Sequence, residues 1–156
     1  MEHTQDVKCV SWHPQEEILA SASYDDTIKL YIEDPSDDWY CFSTLSGHAS
    51  TVWSLAWAPG EEKGSYLASG SDDNTVRVWK RTAAHSWENV LVLGGHERSV
   101  YSVSWGRAPA SRAKDQEGNH IIGWLASAGG DGTILVWELS VCYLFLNFSK
   151  QANSKL

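Results

Sequence analysis

Hydrophobic and polar positions alternate along this chain in short bursts, and no window keeps a helical period for three turns. Runs dense in Val, Leu, Trp and Ser, such as Val52 to Trp57, Leu67 to Ser71 and Val76 to Lys80, read as strands. β-branched and aromatic residues suit a pleated, half-buried surface. Between the last two runs, Asp72-Asp73-Asn74 suits a tight hairpin. A fourth run, Trp87 to Leu93, completes a four-stranded sheet, and Trp39 to Leu45 does the same earlier in the chain. The pattern predicts an all-β fold.

The pattern also repeats. One stretch runs from His3 through CVSWHP and LASASYDDTIKLY, and a second from Gly47-His48 through SLAWAP and LASGSDDNTVRVW. A third runs from Gly95-His96 through SVSWGR and LASAGGDGTILVW. His3, His48 and His96 stand 45 and 48 residues apart. A period of about 40–45 residues, with Gly-His early and Trp late, is the signature of WD40 blades. Over residues 3 to 138 the sequence resembles a WD40 β-propeller. The resemblance implies three four-stranded antiparallel blades, at residues 1–45, 46–93 and 94–139, in a propeller fragment whose ring is not closed. Propellers close with about 4–8 blades, and stacked repeats bury their faces against neighbours. Two open sheet faces with exposed apolar surface are therefore expected.

Two segments depart from the period. His96 to Trp137 spans 41 residues where His48 to Trp79 spans 31, and the excess lies in RAPASRAKDQEGNHIIG. This stretch is polar and rich in Ala and Gly, so it predicts a surface loop at 107–123. Residues 140–156, SVCYLFLNFSKQANSKL, form an atypical tail in which Val141 to Phe148 is almost wholly apolar. Two readings stay open: an outer strand completing the third blade, or read-through of an intron boundary, since GTATGT encodes Val-Cys.

Composition narrows the function. A net charge of −8 without a basic stripe argues against nucleic-acid binding through a basic face. No apolar run approaches the roughly 18–20 residues that span a bilayer, so no membrane association is expected. MEHTQDVK is not a signal peptide, and Cys9, Cys41 and Cys142 lie far apart, as reduced thiols of an intracellular protein do.

His48, Ser69, Asp73 and Trp79 carry the residue types of a catalytic triad, but equivalent sets recur as His3, Ser21, Asp25, Tyr31 and as His96, Ser127, Asp131, Trp137. Catalysis needs one cleft and one oxyanion site, not a copy per repeat. By resemblance to WD40 proteins, each set forms a structural hydrogen-bond tetrad in its blade. Which serine of the LAS-x-S strand takes part is left open. Three histidines in separate blades do not converge on a metal, and Gly129-Gly130-Asp131-Gly132 is a hairpin turn without the helix a phosphate loop requires. No catalytic residue, metal ligand or cofactor is expected.

HTQDVK, Trp12-His13-Pro14, SASYDDTIKLY, DDWYC, STVWSLAW, SDDNTVRVW and SVYSVSW go further than the scaffold requires. Together they resemble the WD40 family of cytosolic iron–sulfur protein assembly. The resemblance implies a non-enzymatic scaffold of the cytosolic iron–sulfur targeting complex. Its partners would be the other subunits of that complex and apo iron–sulfur client proteins. A cytoplasmic location follows, with the nucleus as a second. Clusters are held by Cys thiolates, typically about four, and three scattered cysteines do not supply that set. Some members carry a Leu-Tyr-basic docking tripeptide; the matching Leu30-Tyr31-Ile32 lacks the basic residue. The alternatives are a WD40 platform of another assembly, such as ubiquitin ligase, chromatin or trafficking machinery, or a truncated fragment without function.

Overall fold

The computed structural model describes residues 2–59, 65–108, 111 and 113–141 in full and the backbone of 146–154. Among the described residues, twelve strands form three four-stranded antiparallel sheets, each a meander. The first holds β1 (Val7–Trp12), β2 (Ile18–Ser23), β3 (Ile28–Glu33) and β4 (Trp39–Leu45). The second holds β5 (Val52–Trp57), β6 (Tyr66–Ser71), β7 (Val76–Ala83) and β8 (Ser86–Leu93). The third holds β9 (Val100–Gly106), β10 (His120–Gly129), β11 (Ile134–Val141) and β12 (Leu146–Ser154).

The core lies between sheets, not within one. Ala20, Ala22, Ile28 and Leu30 of the first sheet pack with Val52, Leu55 and Trp57 of the second. Ala68, Val76 and Val78 of the second pack with Val100, Val103 and Trp105 of the third. The two seams repeat one design: small residues on the second strand of one sheet receive the large first-strand residues of the next. Gly70 shows how close the approach is, since a Cβ there would stand 2.8 Å from Cγ1 of Val100. The three sheets form an open arc, not a closed ring.

The β2–β3, β6–β7 and β10–β11 turns share Asp-X-Thr, with X being Asp26, Asn74 or Gly132. Each X has a positive φ, at 66°, 67° and 74°, which Asp, Asn and Gly tolerate best.

Two boundaries differ from the sequence reading. The loop expected at 107–123 ends sooner, because β10 begins at His120 and Ile121 and Ile122 are buried. The loop is also tied down: Ser140 donates to Asp115 Oδ2 at 2.7 Å, and the amides of Glu117 and Asn119 donate to Oδ1. Its outer-strand residues also shift. Val141 pairs with His120 and so closes β11, while β12 pairs with β11 over Leu146–Ser154. Cys142 lies outside the described residues.

Candidate functional site

Each sheet holds a hydrogen-bonded chain that ends in the turn, and in the second and third sheets it starts on the third strand. In the second sheet Trp79 Nε1 donates to Ser69 Oγ at 2.9 Å, and Ser69 Oγ lies 2.7 Å from His48 Nε2. His48 Nδ1 meets Asp73 Oδ2 at 2.8 Å. A carboxylate only accepts, so Nδ1 carries the proton, Nε2 accepts from the serine, and the serine accepts from the indole. The third sheet repeats this with Trp137, Ser127, His96 and Asp131, at 3.4, 2.8 and 3.0 Å in the same order. In the first, His3 joins Ser21 at 2.6 Å and Asp25 at 2.9 Å, and Tyr31 of β3 stands at the position of the indole. The serine in every case is the first of the LAS motif.

The second serine serves the turn instead. Ser71 Oγ donates to the Ser50 carbonyl and accepts from the Asp73 amide, as Ser23 does with Gln5 and Asp25. The third sheet has Gly129 there, and a Cβ would stand 2.5 Å from His96 Nδ1 and 2.9 Å from Asp131 Oδ1. A fifth member was not anticipated from the sequence: Thr27, Thr75 and Thr133 donate hydroxyl and amide to Oδ1 of Asp25, Asp73 and Asp131. The invariant Asp-X-Thr spacing was the signal that could have found it. The amides of Thr4, Ala49 and Glu97 complete the shell on Oδ2.

These bonds set the charge state of the aspartates. Burial pushes the Asp73 carboxyl up, but the hydrogen bonds from His48, Thr75 and the Ala49 amide prevail and hold it well below the usual carboxylate range. Asp25 is likewise pushed up by burial and held low by Thr27, Thr4 and His3. For Asp131 the Thr133 hydroxyl is the leading cause of a lowered value, with burial opposing it. Burial raises the Tyr31 phenol, with Ser21 opposing.

The tripeptide Leu30-Tyr31-Ile32 lies within β3, with Leu30 turned inward and Tyr31 and Ile32 partly buried. Leu30 is fully buried in the first seam. The alternation of β3 turns Leu30 inward, where Val78 sits in β7.

A surface that sequence reasoning missed lies at the turn end of the sheets. The pairing of β1 with β2 skips Lys8, that of β5 with β6 skips Trp53, and that of β9 with β10 skips Tyr101. These are β-bulges, which re-aim a side chain. Each leans on the turn of its own sheet: Lys8 Nζ stands 5.0 Å from the Tyr24 ring centroid, and Trp53 Nε1 donates to Asp72 Oδ1 at 2.6 Å. The Tyr101 ring lies against Gly130, where a Cβ would stand 3.1 Å from Cε2. Across sheets the rings form one row, Tyr24 to Trp53 at 6.4 Å and Trp53 to Tyr101 at 5.9 Å, both edge-to-face. Lys8 also lies 5.6 Å from the Trp53 centroid. Tyr24 and Tyr101 are about half exposed. The signal was present in the sequence: Val7/Val10, Val52/Leu55 and Val100/Val103 share a face at a spacing of three, which a regular strand does not allow.

The family model of the WD domain, G-beta repeat (WD40) matches residues 1–31, 39–80 and 87–138. The chain belongs to the WD40 family. Its curated relatives include a probable cytosolic iron-sulfur protein assembly protein CIAO1 homolog of Ixodes scapularis. It is 58% identical over 60 residues, 38% of this chain and 19% of the relative. A probable cytosolic iron-sulfur protein assembly protein 1 of Chaetomium globosum is 42% identical over 77 residues, 40% of this chain and 17% of the relative. A probable cytosolic Fe-S cluster assembly factor of Schizosaccharomyces japonicus is 42% identical over 57 residues, 36% of this chain and 9% of the relative. The matched segments thus span less than a fifth of each relative's length.

The WD40 geometry also bears on the chemistry weighed from the sequence. The serine of each Ser–His–Asp set is buried, and in the second and third sheets an indole N–H is bonded to it. Gly129 to Gly132 form the β10–β11 turn, with the Gly132 amide bonded to the Gly129 carbonyl at 3.1 Å. Among the described residues no group of three or more His, Cys, Asp or Glu is placed to hold a metal ion. No helix there is long and apolar enough to cross a membrane.

Proposed function

We propose that this WD40 chain is a non-catalytic docking subunit in cytosolic iron–sulfur protein assembly, joining other subunits of the targeting complex and apo client proteins. The observation that carries the reading is the 58% identity to a relative named for that process. The physical arrangement is compatible with it. The tetrads are spent on fixing the turns, and the turns fix the row of Lys8, Tyr24, Trp53 and Tyr101 at one end of the blades. Rigid aromatic side chains with a polar handle are the residue types that anchor protein interfaces. Their positions depend on backbone bonds repeated in all three blades: the amides of Tyr24, Asp72 and Gly130 donate to the carbonyls of Asp6, Thr51 and Ser99 at 2.9, 2.9 and 2.8 Å.

Clusters pass through the reading as cargo of the assembly, not as a group resident on this chain. The tetrads are structural members, each costly to leave half-satisfied in a buried seam. Affinity capture of the tagged chain from cytosolic extract, followed by identification of the retained proteins, tests the proposal. Recovery of iron–sulfur targeting subunits is expected. Recovery of ubiquitin-ligase, chromatin or coat subunits in their place would overturn it.

A further inference from the structure

The turn-end row has two slots between neighbouring rings, and among the described residues only the first holds a cation. There the Lys8 ammonium stands 5.0 Å from the Tyr24 centroid and 5.6 Å from that of Trp53. The Lys8 side chain keeps 21% of its surface exposed, and its other partner is the Asp6 carboxylate at 3.1 Å. A ring face attracts a cation through its quadrupole, most strongly at Trp. The chain itself thus displays the chemistry that this row accepts.

The second slot repeats the geometry without the cation. Trp53 and Tyr101 form its walls at 5.9 Å, and the β6–β7 turn puts Asp72 where the β2–β3 turn puts Tyr24. The backbone sets that correspondence, since the Tyr24 and Asp72 amides donate to the Asp6 and Thr51 carbonyls alike. Asp72 is held in place, its Oδ1 accepting from Trp53 Nε1 at 2.6 Å. Among the described residues no Lys or Arg pairs with Asp72 or lies over the Tyr101 ring. Arg98, three residues before Tyr101, is exposed and makes neither kind of contact. Each slot is walled by two adjacent sheets of the chain, the first and second or the second and third, so neither depends on where the sequence begins or ends.

We infer that the second slot receives a lysine or arginine side chain from an extended basic segment of a protein partner, its charge over the Trp53 and Tyr101 rings and against Asp72. Charge complementarity selects that occupant. The chain carries a net charge of −8, Asp26 and Asp72 sit on the two turns that hold the row, and Asp6 borders the first slot. An acidic segment would be repelled by these carboxylates, and a purely apolar one would strip water from Asp72 without pairing it. Lys8 sets the register: with its own slot filled from within, the incoming cation is left the neighbouring one. The inference rests on the reading of this row as a docking surface and adds the chemistry of what docks.

Fluorescence anisotropy of the full chain with a labelled peptide of alternating glycine and lysine tests it, against the same peptide with every lysine acetylated. Saturable binding of the charged peptide by wild type, and none of the acetylated one, is expected. Asp72→Asn keeps an oxygen for the Trp53 indole and removes the charge, so binding should weaken about two- to fivefold. Tyr101→Leu should weaken it by a similar factor. Lys8→Met empties the first slot and should tighten binding about twofold or more, a gain that damage to the fold does not produce. Asp38→Asn, exposed between β3 and β4 at the opposite end of the first sheet, controls for overall charge and should leave binding unchanged. Near-ultraviolet dichroism matching wild type shows that each variant has folded. Equal binding of the acetylated peptide overturns the inference, as does an Asp72→Asn loss no larger than that of Asp38→Asn. Weaker binding by Lys8→Met, or no binding by folded wild type, overturns it too. No targeting subunit enters this assay, so its failure leaves the iron–sulfur reading to the capture experiment. Failure of that capture with the peptide result intact overturns the partner's identity and keeps the slot.

Discussion

Replacing Ser69 by Ala removes a single oxygen from the second seam, and its consequences can be worked out atom by atom. Ser69 is fully buried, and its Oγ serves two partners, accepting from Trp79 Nε1 at 2.9 Å and facing His48 Nε2 at 2.7 Å. Both partners are themselves buried, so neither finds water when the oxygen goes. A stranded buried polar group costs about 1–3 kcal/mol. The two losses share one site and are not additive, which places the total at about 2–4 kcal/mol. In a chain of this size about 1 kcal/mol moves the thermal midpoint by about 2–4 °C, so a fall of roughly 4–16 °C is expected by circular dichroism at neutral pH. Ser127→Ala is the internal comparison. There the indole stands 3.4 Å from the hydroxyl, so less is lost, and the fall should be about half as large. A Ser69→Ala midpoint within about 1 °C of wild type would refute the reasoning, as would a larger loss for Ser127→Ala.

Asp73→Ala leaves His48 Nδ1, the Thr75 hydroxyl and the Ala49 and Thr75 amides without their acceptor, and a loss of about 1–3 kcal/mol in urea unfolding is expected. Acid should act on the same carboxylates. Because Asp25, Asp73 and Asp131 titrate lower in the folded chain than in the unfolded one, their contribution is complete above about pH 4. It is lost progressively as pH falls toward the folded values, so the wild-type midpoint should drop below pH 4 and that of Asp73→Ala should drop less. Gly129→Ala drives a methyl to within 2.5 Å of His96 Nδ1 and should lower the thermal midpoint, whereas the same change at Gly94, which has open space around it, should be nearly neutral.

Much of this was legible because it is written three times. A lone His, Ser, Asp and Trp would have been ambiguous; three copies at one spacing point to a scaffold role, and the strands fall where the β-branched and aromatic runs stand. The threonine of the turn went unread although it recurs as faithfully, since Thr in a hairpin is unremarkable until its hydroxyl is seen on Oδ1. Leu30 shows the opposite case. A sequence tripeptide carries no information about which neighbour buries it, and the β3 alternation sends it into the seam. The bulges at Lys8, Trp53 and Tyr101 were readable from the spacing of three between Val7 and Val10 and its repeats, but such a run passes for an ordinary strand. The start of β10 at His120 was masked by the polar loop before it.

The most direct test of the proposed docking role is the affinity of purified iron–sulfur targeting subunits for the immobilised chain, measured for wild type and for the double variant Tyr24→Ala/Tyr101→Ala. Both rings are exposed, so the fold should persist. Measurable binding by wild type, weakened at least about tenfold in the double variant, is the predicted result. Absence of binding by folded wild type, or equal binding by the two proteins, would contradict the account.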